Sequence, residues 1–406
     1  MGRAGGVMTE LAQFRAELVE LLEHELPRLL GGAPPSGGDY WGGRQPELPH
    51  PMSQRYCQIL AERGLTAPTW PKAYGGGGLD PAHAKVLLDE LRRLHLPLPL
   101  IGFGLSMIGP TLLQFGTEDQ RREHLPKITR GEIRWAQGYS EPNAGSDLAS
   151  VQATARIAGD ELVLNGQKVW TSYGDKADWM FGIFRTDGGG KKQEGITFLL
   201  LDLAQPGVEV RPIKLISGAS PFCETFFSDA RAHCKDVISG VGQGWTVAKA
   251  LLGHERNMIG DVFGAGARNQ PQAGNPMAAL ARTYLGEVDG RIADPLLRDR
   301  VAQVSIDERC FALTMQRSAD TRKAGHKPGP ESSIFKIAGT ELNQRRQELM
   351  LALRGPQALG WEGEGFDAGE LAQTRDWLRS RGNTIEGGTS EVQLNIIAKH
   401  VLGLPD

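Results

Sequence analysis

The feature that most restricts this chain is a change of hydrophobic period near residue 150. There it reads SVQATARIAGDELVLNGQKVWTS, with Val151, Ala153, Ala155 and Ile157 recurring at every second position. Successive strand side chains point to opposite faces, so this period specifies a half-buried β-strand, and the subsequent AGD and NG turns predict hairpin connections. Two further strands are predicted in EGITFLLLDL and GVEVRPI, which gives a compact β segment ending near SGVGQGW.

Both flanks carry the helical period instead. Leu11, Phe14, Leu18, Leu21, Leu22 and Leu26 line one face of an amphipathic helix. Further helices are predicted in PMSQRYCQILAERG, PAHAKVLLDELRRLHL and GTEDQRREHLPKITRGE, the last entered through Thr117. Between them GGAPPSGGDYWGG reads as a linker, and the first seven residues as a disordered lead-in, with structure starting near Met8. The helical pattern returns in WTVAKALLGHERNMIGDVFG, VAQVSIDERCFALTMQRSADTRKAG, SIFKIAGTELNQRRQELMLALRG and SEVQLNIIAKHVLGL, while GARNQPQAGNPM is a loop. The predicted fold is α+β, mainly α: a helical domain over 1–133, a β domain over 134–240 and a helical domain over 241–406.

Composition narrows the function. A formal net charge of -3 on 406 residues gives no cationic footprint for nucleic acid. Cys57, Cys223, Cys234 and Cys310 are scattered, without a CxxC pair or histidines at metal-ligand spacing, so neither a disulfide framework nor a metal site is expected. No apolar run approaches the roughly 18 residues of a membrane span. MGRAGGV lacks the apolar core of a signal peptide, and Gly6 stands where myristoylation needs Ser or Thr. A cytoplasmic protein is expected.

Chemistry concentrates in three places. WAQGYSEPNAGSDLAS packs glycines and polar donors into a loop before the first predicted strand, a composition that serves either an ordinary turn or close approach to a flat polar ligand. The hairpin beyond it places Trp170 beside Thr171 and Ser172, an indole and two hydroxyls suited to an aromatic cofactor. On the helix KALLGHERNMIGDVFG, Glu255 shares a face with Ala248, Leu251, Leu252, Ile259 and Val262. Apolar surroundings raise a carboxyl pKa toward neutrality, which suits a base for a carbon-bound proton; a salt bridge is the plainer reading.

WPKAYGGGG, YSEPNAGSD, NGQKVWTS, GQGW and GGTSEVQLNIIAKHVLG occur in the order and spacing of the acyl-CoA dehydrogenase family, which the chain resembles over nearly its whole length. The resemblance implies a middle β domain of barrel or sandwich type and a C-terminal four-helix bundle, with FAD held between domains and across a subunit interface of a homotetramer. It implies oxidation of an acyl-CoA to the 2,3-enoyl-CoA, with electrons passed to an electron-transferring flavoprotein. By position, Gln137, Tyr139, Ser140 and Gly145 resemble flavin contacts, and Ser146 one turned toward FAD and the pantetheine. Trp170, Thr171 and Ser172 resemble the second flavin segment, Arg282 an arginine reaching a neighbour's FAD pyrophosphate, and Thr389 and Glu391 further FAD contacts. Arg354 and Gly355 stand where many members have a Gly-Gly turn at the adenosine, and EVDGRIADPLLRDR departs from the usual pattern, which keeps a heterotetramer with a partner chain open.

In many members the base immediately precedes GTS; here that residue is Gly387, and Glu386 falls one position early. The pair Glu255-Arg256 instead resembles the variant found in isovaleryl-CoA and long-chain enzymes, which makes Glu255 the expected base, Glu386 the lesser candidate, and Arg256 and Gly388 substrate contacts. The Gly387 backbone N-H, with a flavin ribityl hydroxyl, would hold the thioester oxygen. Ser390 and Gln393 also read as a capping box for the last helix. A flavin monooxygenase or oxidase of the same fold is the alternative, and a scaffold or nucleic-acid binder would predict a lost base and a basic tail.

Overall fold

The alternating segment lies at the centre of a sheet of eight strands. These are β1 Trp135–Gly138, β2 Thr154–Ala158, β3 Glu161–Ser172, β4 Trp179–Arg185, β5 Ile196–Asp202, β6 Val208–Ile213, β7 Phe222–His233 and β8 Val237–Ile238. Their order is β6-β7-β3-β2-β4-β5-β8, with β1 parallel to β4. The sheet is therefore open, ending at β6 and β8; of the barrel or sandwich type expected for the middle domain, it does not take the closed-barrel form. Its inward side chains include Leu162, Leu164, Phe184, Leu199, Leu201 and Phe227, all essentially inaccessible to water. Burying such a side chain contributes about 1.5–3 kcal/mol.

The AGD turn joins β2 to β3 as the period predicted. The NG pair is not a turn. Asn165 and Gly166 lie inside β3, beside a register shift against β7, where the Asn165 amide donates to Asp229 (3.0 Å) and accepts from the Asp229 N–H (3.0 Å). Gly166 has φ 133°, and a Cβ there would meet the Ala153 Cβ at 2.7 Å. Close approach of two strands, not chain reversal, selects this glycine.

This computed structural model describes residues 2–253, 275–323, 329–330 and 332–405. It divides into two compact units, one of Met1–Ile213 with Pro221–Leu251, the other of Lys214–Ser220 with Leu252–Asp406.

In the first unit the helix Gly2–Val19 begins six residues before the expected start at Met8, since each residue added to an established helix gains a backbone hydrogen bond. It runs into a π-helical turn, Glu20–Glu25, whose extra residue per turn brings the adjacent Leu21 and Leu22 both into the core. Helices Ser53–Ala61, Pro81–Arg93 and Glu118–Thr129 match the predicted ones, the last with a capping box between Thr117 and Gln120. The predicted linker has no regular structure, yet it is packed. Tyr40 is buried with Cys57 and Leu100, and Trp41 lies 4.7 Å from the Arg134 guanidinium.

In the second unit helices Pro276–Leu285, Pro295–Lys323, Ser332–Arg354, Ala368–Ser380 and Ser390–His400 are described. Met277, Phe311, Met315, Leu342, Leu349 and Leu353 form a core shared by the first three. The stretch around EVDGRI is a small antiparallel hairpin, Glu287–Val288 against Arg291–Ile292.

Candidate active site

The polar loop of the first unit is held from beneath by a buried charge pair. The Lys168 side chain is wholly inaccessible to solvent, and its ammonium donates to the Glu141 carboxylate (2.7 Å) and the Tyr139 carbonyl (3.1 Å). Glu141 also accepts from the backbone N–H groups of Gln152 (2.6 Å) and Ala153 (3.0 Å). Burial pushes the Lys168 pKa down to about 8, although Glu141 opposes that shift. The Val169 N–H donates to the Ser140 carbonyl (2.9 Å), so β3 fixes the loop backbone at both 139 and 140.

The candidate flavin contacts divide by exposure. Tyr139 is buried with its ring against Phe181 and Phe198; Ser140 and Gln137 are half-buried, and Gly145 and Ser146 are exposed. Thr171 is turned into the sheet, its hydroxyl accepting from Thr225 (3.2 Å), while Ser172 is half-buried. Trp170 is 54% exposed at φ 61°, with its ring edge-on to Phe222. A left-handed tryptophan with an open ring is strained and under-packed, the condition expected of a side chain awaiting a ligand.

In the second unit the chain enters its last helix through a sharp turn. Gly387 and Gly388 have φ 65° and 90°, and the Gln393 amide donates to the Gly387 carbonyl (3.1 Å). Among the described residues neither glycine N–H has an acceptor, and the buried Ser390 hydroxyl has no partner. The expected capping box at Ser390 is not formed. Thr389 is the N-cap, accepting from the Val392 N–H (3.2 Å), because Gln393 is drawn back to Gly387. Glu391 is exposed, and hydrogen bonds from its own N–H and from Thr389 hold its carboxyl below the usual range.

Glu386 is already engaged. Its two oxygens accept from Arg379 (2.7 Å) and Asn383 (2.7 Å). On the helix Ser332–Arg354, the buried Lys336 ammonium has no hydrogen-bond partner among the described residues; desolvation lowers its pKa, while Glu386, Glu341 and Glu391 raise it. Arg282 pairs with Glu287 (3.5 Å). Arg354 reaches the Tyr284 hydroxyl (3.3 Å), its buried Nε has no partner among the described residues, and Gly355 follows at φ 58°. Glu255 and Arg256 lie outside the described residues. Sequence reasoning passed over Glu141, Lys168, Lys336, Arg379 and Asn383; only Lys168, a cation at an inward strand position, left a readable signal.

Comparison with known proteins bears on the family and the fold. Residues 39–132, 136–230 and 242–402 match, in turn, the N-terminal, middle and C-terminal domains described for acyl-CoA dehydrogenases. The chain is 36% identical to the acyl-CoA dehydrogenase IpdE1 of Mycolicibacterium smegmatis, over 98% of this chain and 99% of that one. It superimposes on a structure titled Tcur3481-Tcur3483 steroid ACAD with a TM-score of 0.72 at 28% identity, covering 99% of this chain and 98% of that one. The ChsE4-ChsE5 complex of Mycobacterium tuberculosis gives 0.70 at 26% identity, over 98% and 97%. The protein belongs to the acyl-CoA dehydrogenase family, whose members are FAD-dependent oxidoreductases. Each unit taken by itself holds groups that suit that cofactor: in the first an open Trp170 ring, and in the second the Gly387 and Gly388 N–H groups and the Arg354 Nε and Ser390 Oγ atoms, which have no partner among the described residues.

Proposed function

We propose that this enzyme oxidises a bulky acyl-CoA thioester to the 2,3-enoyl-CoA, with Glu255 as the base, within three domains divided near residues 133 and 240. The observation that carries the assignment is the engagement of Glu386 by both Arg379 and Asn383, which leaves its oxygens committed to structure. Glu255 takes the α-proton, and the Gly387 N–H donates to the thioester oxygen, where negative charge develops as that proton leaves. Bound FAD supplies the acceptor for the β-hydrogen, which leaves as hydride. Gln137, Ser140, Trp170 and Ser172 in the first unit, and Arg282, Arg354, Gly355, Thr389 and Glu391 in the second, would hold the cofactor; Ser146, Arg256 and Gly388 would contact the substrate.

A glycine before GTS leaves room for a branched or cyclic acyl group, and the related structure titled a steroid ACAD supports a polycyclic one. The electron acceptor is an electron-transferring flavoprotein, and the setting is the cytoplasm. A homotetramer follows from Arg282 as a contact to a neighbour's FAD; a heterotetramer is the second reading, favoured by the ChsE4-ChsE5 complex. The test is a panel of straight-chain, branched and steroid-derived acyl-CoA esters with a dye acceptor. Turnover confined to straight chains would reject the substrate class, and an enzyme without FAD-dependent turnover on any ester would reject the reaction.

A further inference from the structure

Away from the flavin-binding residues, the helix Glu118–Thr129 meets the turn Cys234–Asp236 inside the first unit. The His124 side chain is fully buried there, with its ring edge-on to Trp135 (5.5 Å) and Trp179 (5.0 Å). Neither ring nitrogen has a hydrogen-bond partner among the described residues. Nε2 lies 4.0 Å from Oδ1 of Asp236, itself buried, and one ligand atom each from Glu123, His124 and Asp236 fall within 4.8 Å of one another. Leaving both nitrogens of a buried imidazole unbonded is costly, so each such group asks for an explanation.

We propose that Glu123, His124 and Asp236 bind a first-row divalent cation, with zinc the preferred ion. One imidazole and two carboxylates form a mixed nitrogen and oxygen set, which suits zinc better than magnesium or calcium, ions that favour oxygen alone. Zinc holds such ligands at about 2.0–2.2 Å, so the atoms must draw together by roughly 1 Å, a side-chain rotation. Lys235 now donates to Glu123 (3.1 Å), but its side chain is 61% exposed and can turn to solvent. Gln120 already bonds the Lys235 and Val237 carbonyls (2.7 and 2.9 Å), so helix and turn are in register before an ion arrives. With water completing its shell, the ion would staple the helix to the sheet. This role is structural and independent of the flavin reading.

The test uses the full-length, tag-free flavin-loaded protein, dialysed against a chelator and titrated calorimetrically with zinc chloride, with magnesium chloride as comparison. Expected are one zinc per chain, a rise in Tm with zinc alone, and affinity weakened at least about tenfold in His124→Phe, which keeps the ring packing, and in Asp236→Asn. Absence of zinc binding by the parent protein would overturn the proposal, as would unchanged affinity in either variant. The parent titration decides the matter even where a variant fails to fold.

Discussion

Lys168 and Glu141 form an ion pair sealed from solvent that joins the centre of β3 to the loop bearing Tyr139 and Ser140. Removing one partner of such a pair leaves an uncompensated buried charge, which costs about 3–5 kcal/mol. Lys168→Met is therefore expected to lower stability by about that amount and to release flavin, since the loop loses its anchor. Denaturant midpoints and retained flavin absorbance measure the two effects. The double variant Lys168→Met, Glu141→Leu should recover part of the stability, and strict additivity of the two single losses would show that the pair is not coupled.

The same lysine gives a pH signature. Its pKa in the folded protein is about 8, against 10.5 ordinarily. Below about pH 8 it is charged in both folded and unfolded chains, so its burial cost is constant. Between the two values the unfolded chain binds the extra proton, and stability rises with pH at up to about 1.4 kcal/mol per unit. The difference in unfolding free energy between the parent and Lys168→Met should climb over that window and level off above it. A flat difference would contradict the depressed value.

Glu255→Gln should bind FAD and acyl-CoA yet reduce flavin about 10²–10⁴-fold more slowly in stopped flow, the range for a lost general base. Glu386→Gln should keep most of the rate, because the parent carboxylate is occupied by Arg379 and Asn383. Loss of bleaching in Glu386→Gln alone would reverse the assignment.

Thr389→Ala should cost about 1 kcal/mol in the flavin-free protein, the usual loss for an N-cap, and Ser390→Ala close to nothing. Equal losses would mean that the cap is shared. Thermal or denaturant unfolding distinguishes the cases.

The period change near residue 150, the strands in EGITFLLLDL and GVEVRPI and most of the helices were legible because each is a local pattern. The β4 strand WMFGIFR was not, since a strand buried throughout lacks alternation and resembles any apolar run, and β7 was not, since its alternating burial falls on mixed side chains such as Thr225 and Ala230 and slips at Ser228 and Asp229. The NG pair misled because a hairpin turn and a close-approach glycine look alike until Ala153 is seen across the strand. At the site, GGTSE marked the turn correctly, but its cap went to Thr389 because Gln393 found a tertiary partner in the Gly387 carbonyl. The Lys168 to Glu141 pairing joins residues whose proximity depends on the sheet, which no single-strand pattern encodes.

The second register irregularity of β3, between Lys168 and Thr171, works as a phase shift. It lets residues three apart both face inward and throws Trp170 outward, where strict alternation would have buried the indole and exposed the threonine. Length in this strand is therefore as informative as identity. Deleting one residue between 168 and 171 would restore an even pleat with Lys168 and Thr171 still facing inward, so a deletion there should be less damaging than one elsewhere in β3, which would invert the faces of the residues beyond it.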